Sequence, residues 1–124
     1  MAKISLLVDT DVFIEYFNRG RYAALFGPAV FAVHYSVVTR KELLAKRGLS
    51  EAERKAILGE LRRHRVVGLS DAIVRRYSEL RQRHPVLEKE DALIAATGLV
   101  RRLPLVTRNR KHFTPIAGLT LFGP

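Results

Sequence analysis

The chain has 124 residues, 48% of them hydrophobic, with 22 Lys+Arg against 12 Asp+Glu and a formal net charge of +10. This length predicts a single domain over residues 1–124, because two halves would each be too small to bury an adequate core. No apolar stretch nears the roughly 18–20 residues that span a bilayer and none reads as a signal peptide, so a cytoplasmic protein without a membrane partner is expected; zero cysteines exclude disulfides and thiolate metal sites.

Ile4–Val8 is an apolar run too short for a helix and predicts a buried central strand, with Asp9 at its end. Helical spacing follows through Val12, Phe13, Tyr16 and Phe17 and stops at Asn18-Arg19-Gly20. A short helix is expected over Arg21–Phe26 before Gly27-Pro28, then a strand over Val30–Ser36 and a helix through Thr39–Ala45 with a stop at Gly48. Ser50-Glu51-Ala52-Glu53 is a capping-box start for a helix with Ala56, Ile57, Leu58 and Leu61 on its apolar side. Val66–Leu69 predicts another strand, and Ser70-Asp71 starts a helix with Ile73, Val74, Tyr77 and Leu80 on one face, ended before Pro85. The helix expected over Lys89–Arg102 is apolar on nearly every side and carries small Ala95, Ala96 and Gly98, so it should be buried against the sheet. Pro104–Thr107 predicts a strand, Arg108–Phe113 a turn and Leu119–Phe122 a last strand. Strands alternating with helices give an α/β fold with a central, mostly parallel sheet.

Three acids stand where strand-like runs give way to helix-like ones: Asp9 after β-like Ile4–Val8, Glu42 after Val37-Val38, and Asp91 opening Ala92–Ala96. If the strands are parallel, the carboxylates converge on the sheet edge where open α/β folds bind ligands. Each also has a purely structural explanation: Asp9 as a helix cap, Glu42 as the distal half of a Thr39-x-x-Glu42 capping box, Asp91 as a first-turn acid. Those explanations do not require Asp11 to stand two residues from Asp9. Carboxylates this close repel, and oxygen-only ligands suit Mg²⁺ or Mn²⁺. Glu51, Glu53 and Glu60, beside Arg54, Lys55, Arg62 and Arg63, are expected to pair on a solvated face.

The positive charge is spread along the chain, and its 16 arginines against 6 lysines suit bidentate phosphate contacts. An acidic pocket on a basic protein points to a metal-dependent enzyme acting on a polyanion. No HExxH, P-loop or GxSxG pattern directs the reading elsewhere.

Four segments, Leu7-Val8-Asp9-Thr10-Asp11-Val12-Phe13-Ile14, Ser36-Val37-Val38-Thr39-Arg40-Lys41-Glu42-Leu43, Glu90-Asp91-Ala92-Leu93-Ile94-Ala95-Ala96-Thr97 and Thr107-Arg108-Asn109-Arg110-Lys111-His112-Phe113, together resemble the PIN-domain family, especially its VapC-type toxins. The resemblance implies a three-layer α/β/α sandwich, a Mg²⁺- or Mn²⁺-dependent endoribonuclease, a homodimer and inhibition by a VapB-type antitoxin. It carries catalytic roles to Asp9, Glu42 and Asp91, with a metal between Asp9 and Asp91 and a water held by Glu42. Thr10, Asp11, Thr107, Asn109 and His112 become supporting groups, and Arg108, Arg110 and Lys111 contacts for the RNA backbone. His112 stands where the family usually has an aspartate just before the phenylalanine, which weakens a second metal site and leaves the number of ions open. Two other readings stay in view: an RNA- or antitoxin-binding PIN domain whose metal site has decayed, and a haloacid-dehalogenase-like phosphatase suggested by Asp9-Thr10-Asp11-Val12. The phosphatase lacks its later lysine and acidic pair, and a response-regulator receiver lacks its phospho-acceptor aspartate.

Overall fold

The computed structural model describes residues 2–27 and 29–123, so Pro28 of the expected Gly27-Pro28 break lies outside the described residues. Four strands, β1 (Ile4–Val8), β2 (Phe31–Ser36), β3 (Arg65–Val67) and β4 (Leu105–Val106), form one sheet in the order β3-β2-β1-β4. Every pairing is parallel. The central place of β1 follows from its sequence. Side chains alternate across a strand, and here Leu7 enters one core while Leu6 and Val8 enter the other, so only a run apolar at successive positions can be buried on both faces.

On the Leu6 side lie α1 (Thr10–Arg19), α2 (Ala23–Phe26), α3 (Val37–Leu44) and α4 (Glu51–Leu61), packing Val12, Phe13, Leu25, Phe26, Leu43, Ile57 and Leu61. On the Leu7 side lie α5 (Asp71–Arg83), α6 (Lys89–Arg101) and α7 (Arg110–Phe113), packing Ile73, Leu80, Ile94, Ala95, Ala96 and Phe113. Helix α6 is buried, as its composition predicts, and Gly98 shows why small residues are needed. A Cβ there would stand 2.9 Å from Leu119 Cδ1 and 3.3 Å from Leu103 O. Among the described residues no helix is long and apolar enough to cross a membrane.

Several expected boundaries move. The Ser50–Glu53 capping box is present with both reciprocal hydrogen bonds, at 3.1 Å each. Val37 and Val38 are the first turn of α3, capped by Ser36, which accepts from Val38 N at 3.1 Å. Thr39 therefore lies inside the helix, and the Thr39-x-x-Glu42 capping box does not form. Asp91 follows a loop and not a strand. The third strand is Arg65–Val67 and not Val66–Leu69, and β4 spans only Leu105 and Val106. The expected turn over Arg108–Phe113 contains α7, and the helix expected over Arg21–Phe26 begins at Ala23. Leu119–Phe122 is no strand: it makes one parallel bridge, Leu105 to Leu121, because a two-residue β4 offers little ladder to extend.

Candidate active site

All four acids of interest lie around the ends of β1 and β4 or on the helices α1, α3 and α6 beside them. Asp9, only 4% exposed, follows β1 and caps α1. One carboxylate oxygen accepts from Thr10 N at 2.8 Å and the other from Thr107 Oγ1 at 2.7 Å. Its capping role and its place in the cluster thus coexist. The segment after β4 then serves three acids in succession. Thr107 donates to Asp9, Arg108 Nη1 stands 2.8 Å from Glu15 Oε1, and Asn109 Nδ2 donates to Asp11 Oδ2 at 3.0 Å. Asn109 N donates to Thr107 Oγ1 at 3.1 Å and so fixes the hydroxyl that holds Asp9.

Glu42 reaches the cluster from the interior of α3, where Oε1 accepts from Thr10 Oγ1 at 2.8 Å. Thr10 Oγ1 is also 2.9 Å from Thr39 Oγ1, and Thr39 is fully buried. A hydroxyl has one proton, so with Thr10 donating to the carboxylate, Thr39 must donate to Thr10. Asp91 lies in the first turn of α6, with Oδ2 3.6 Å from Nδ1 of the half-exposed His112.

The electrostatics bind these acids into one unit. Burial, then the charge of Asp11 and last that of Asp91, raise the Asp9 carboxyl to about 7, against the hydrogen bonds from Thr107 and Thr10. Burial also raises Asp11, opposed by Arg108. It raises Glu42, where the Thr10 hydrogen bond opposes and Glu90, Asp91 and Asp11 add to the effect. Asp91 is raised by burial, lowered by His112, and raised again by Glu88 and Asp11. Among the described residues no three acidic or histidine side chains are gathered tightly enough to make a ready metal cage. The donor set nevertheless fits a hard divalent cation: it consists of carboxylate oxygens that disfavour one another's charge, and Asp11 Oδ1 is buried with no hydrogen-bond partner.

The basic residues expected at the RNA differ in their freedom. Arg108 is held by Glu15, Arg110 Nη1 donates to Phe122 O at 3.2 Å, and Lys111 is exposed. Sequence reasoning passed over Glu15, although its spacing of four from Asp11 places both on one face of α1. It also took Thr39 only as a cap. Glu60 departs from the solvated pairing expected of it: its side chain is mostly buried and stands 2.7 Å from His64 Nε2.

A family model described as PIN domain matches residues 6–119. Ribonuclease VapC1 of Methanocaldococcus jannaschii is 32% identical over 113 residues, covering 87% of this chain and 78% of its own. Among solved structures, a toxin–antitoxin complex from Klebsiella pneumoniae is 29% identical with a TM-score of 0.75, covering 93% of this chain and 95% of that one. VapBC2 from Rickettsia felis, bound to a DNA fragment from its promoter, superposes with a TM-score of 0.81 at 20% identity, covering 96% of this chain and 98% of that one, and so shares the fold. With the family model matching nearly the whole chain and a relative above 30% identity over most of it, the chain belongs to the PIN-domain family.

Proposed function

We propose that this chain is a VapC-type toxin, a divalent-metal-dependent endoribonuclease neutralised by a VapB-type antitoxin. The observation that carries the reading is the unit of mutually repelling carboxylates, Asp9, Asp11, Glu42 and Asp91, at the strand ends of a chain whose relative is named a ribonuclease. Asp9 and Asp91 are the residues that would hold Mg²⁺ or Mn²⁺. The ion, when bound, makes a water more acidic and offsets charge on the phosphate under attack. Glu42, held by the Thr39–Thr10 hydroxyl pair, orients the attacking water and accepts its proton. The water oxygen bonds to phosphorus as the bond to the ribose oxygen breaks, and that oxygen leaves as an alkoxide that takes a proton from solvent water. Thr107 and Asn109 keep Asp9 and Asp11 apart in fixed orientations, while Arg108, Arg110 and Lys111 meet the RNA backbone. Phosphate contacts carry no sequence information, so specificity falls to RNA shape or unpaired bases.

A cavity of about 300 Å³ between α1, α3 and α4 supports the partner assignment. Its walls include apolar Ile14, Phe17, Leu43, Leu49 and Ile57 beside Asn18, Lys46 and Glu53, and Glu42 also lines it, so a largely apolar antitoxin segment seated there would reach the acids. The chain acts as a homodimer in this reading.

Incubation of the purified protein with labelled single-stranded RNA tests the activity. Cleavage is expected in Mg²⁺ or Mn²⁺ and none in EDTA. RNA bound without cleavage in either metal would replace this reading with that of a binding domain whose site decayed at His112.

A further inference from the structure

Thr107, which holds Asp9, also lines a second cavity of about 410 Å³, whose other walls include Tyr22, Leu25, Arg108, Arg110 and Phe122. Arg108 and Arg110 line it, and among the described residues no acid does. Both cations are anchored. Arg108 uses Nη1 on Glu15, a carboxylate whose side chain is 10% exposed, and Arg110 uses Nη1 on Phe122 O. Each guanidinium has five N–H donors, so one anchoring contact leaves most of them for a ligand while reducing the rotamer freedom lost on binding. Arg19 and Arg21 stand 4.0 and 3.8 Å from the same Glu15 carboxylate.

The remaining wall is aromatic and held at a conformational cost. Tyr22 has φ 64°, in the left-handed region, which disfavours a residue with a Cβ. Glycine would adopt that backbone freely, so local folding does not favour tyrosine here. The ring is partly exposed at the cavity. Arginines beside a presented aromatic face are the combination that takes single-stranded nucleic acid, with phosphates on the cations and a base stacked on the ring.

We propose that this cavity is a nucleotide subsite of the cleavage site: the phosphodiester chain next to the bond being cut runs over Arg108 and Arg110, and one unpaired base stacks on Tyr22. Glu15 is then a positioning residue for Arg108. The subsite rests on the ribonuclease reading above, because Thr107 joins it to the acids.

The full chain is tested in EDTA, which prevents hydrolysis, with a fluorescein-labelled single-stranded hexaribonucleotide at low salt. Tyr22→Gly is expected to unfold at the same or a higher temperature, yet to bind about ten-fold more weakly. Tyr22→Phe is expected to keep wild-type affinity. Arg110→Gln is expected to weaken binding, and Arg54→Gln, the same loss of charge on α4, to leave it nearly unchanged. Replacing one nucleotide of the hexamer at a time by an abasic sugar is expected to find a position that weakens wild-type binding and adds nothing to Tyr22→Gly. Wild-type affinity in Tyr22→Gly, or abasic losses that add fully to it at every position, would overturn the subsite. If Tyr22→Gly binds and cleaves as wild type, the subsite fails and the ribonuclease reading stands. If no metal supports cleavage but the Tyr22 effect persists, the ribonuclease reading fails and the cavity stands as an RNA-binding site.

Discussion

Two of the clusters of largely buried charge in this molecule are built in opposite ways. Glu60 on α4 meets His64 Nε2 at 2.7 Å, Tyr16 OH at 3.4 Å and Arg63 Nη1 at 3.4 Å, with aromatic rings of Phe13 and Phe26 around the imidazole. Its donors come from its own helix end and from α1, and the cluster is internally satisfied. At the strand ends, Asp9, Asp11, Glu42 and Asp91 oppose one another, are served mainly by neutral hydroxyls and an amide, and leave one buried oxygen unpartnered. Burying charge is costly unless it is paired. The first cluster meets that requirement within the chain, whereas the second is arranged to be completed by something else.

The difference can be broken most severely at the acids. Asp9→Asn and Asp91→Asn are each expected to lower metal-dependent RNA cleavage by at least about a hundredfold, measured with purified proteins, while circular dichroism stays unchanged. Unchanged cleavage in both would remove these carboxylates from the site.

Next in size is a pH effect on the metal-free protein. The Asp9 carboxyl rises from near 3.8 to about 7 on folding, so the folded state favours its protonated form. The associated stability is fully present below about pH 4 and is lost as pH rises through about 7; the raised Asp11, Glu42 and Asp91 act in the same direction. Urea unfolding in EDTA is expected to show the protein less stable at pH 8 than at pH 5 by on the order of 2–4 kcal/mol. Asp9→Asn should flatten the profile and Mn²⁺ should restore stability at pH 8. A metal-free stability that climbs toward pH 8 would contradict the assignment.

At the satisfied cluster, Glu60→Ala is expected to cost about 1–3 kcal/mol in denaturant unfolding, from the donors left without an acceptor. Cleavage under conditions where the variant is folded should match the wild type, in contrast to the Asp9 variant. The smallest expected effect is at His112. A half-exposed pair with Asp91 is worth about 0–1 kcal/mol, so His112→Ala should change cleavage by at most about five-fold in Mg²⁺. His112→Asp should shift the metal preference toward Mg²⁺ by adding a hard oxygen. A near-total loss in His112→Ala with both metals would instead make the imidazole part of the reacting centre.

The elements with strong local signals were legible in the sequence. The apolar Leu6-Leu7-Val8 of the first strand marks it as buried on both faces, Gly20 ends α1 in the left-handed conformation, and Ser50 with Glu53 caps α4 reciprocally. Elements defined by their partners were not. The length of β4 and the single bridge at Leu121 depend on how far neighbouring backbones stay in register, which local composition does not encode. At the site, only Asp9 stands where an apolar strand ends; Glu42 and Asp91 were singled out by the resemblance of their segments, and the reason Glu42 points inward could not be read. That depends on Ser36 taking the cap, which moves Thr39 into the helix where its hydroxyl meets Thr10. Glu60 among arginines looked like surface charge because its burial comes from Tyr16 and Phe26, distant in sequence. The backbone of Tyr22 has no local signature, since nothing in Gly20-Arg21-Tyr22 requires the left-handed conformation at the tyrosine.

Thr107, Arg108 and Asn109 each hold a different acid of the β1–α1 segment, so the strand end behaves as a reading frame. Inserting or deleting one residue there would not weaken one contact; it would offer every acid the wrong partner at once, presenting Arg108 or the residue before it to Asp9. This segment is confined to substitution, because one codon gained or lost displaces all three contacts whereas one codon changed in kind alters a single contact.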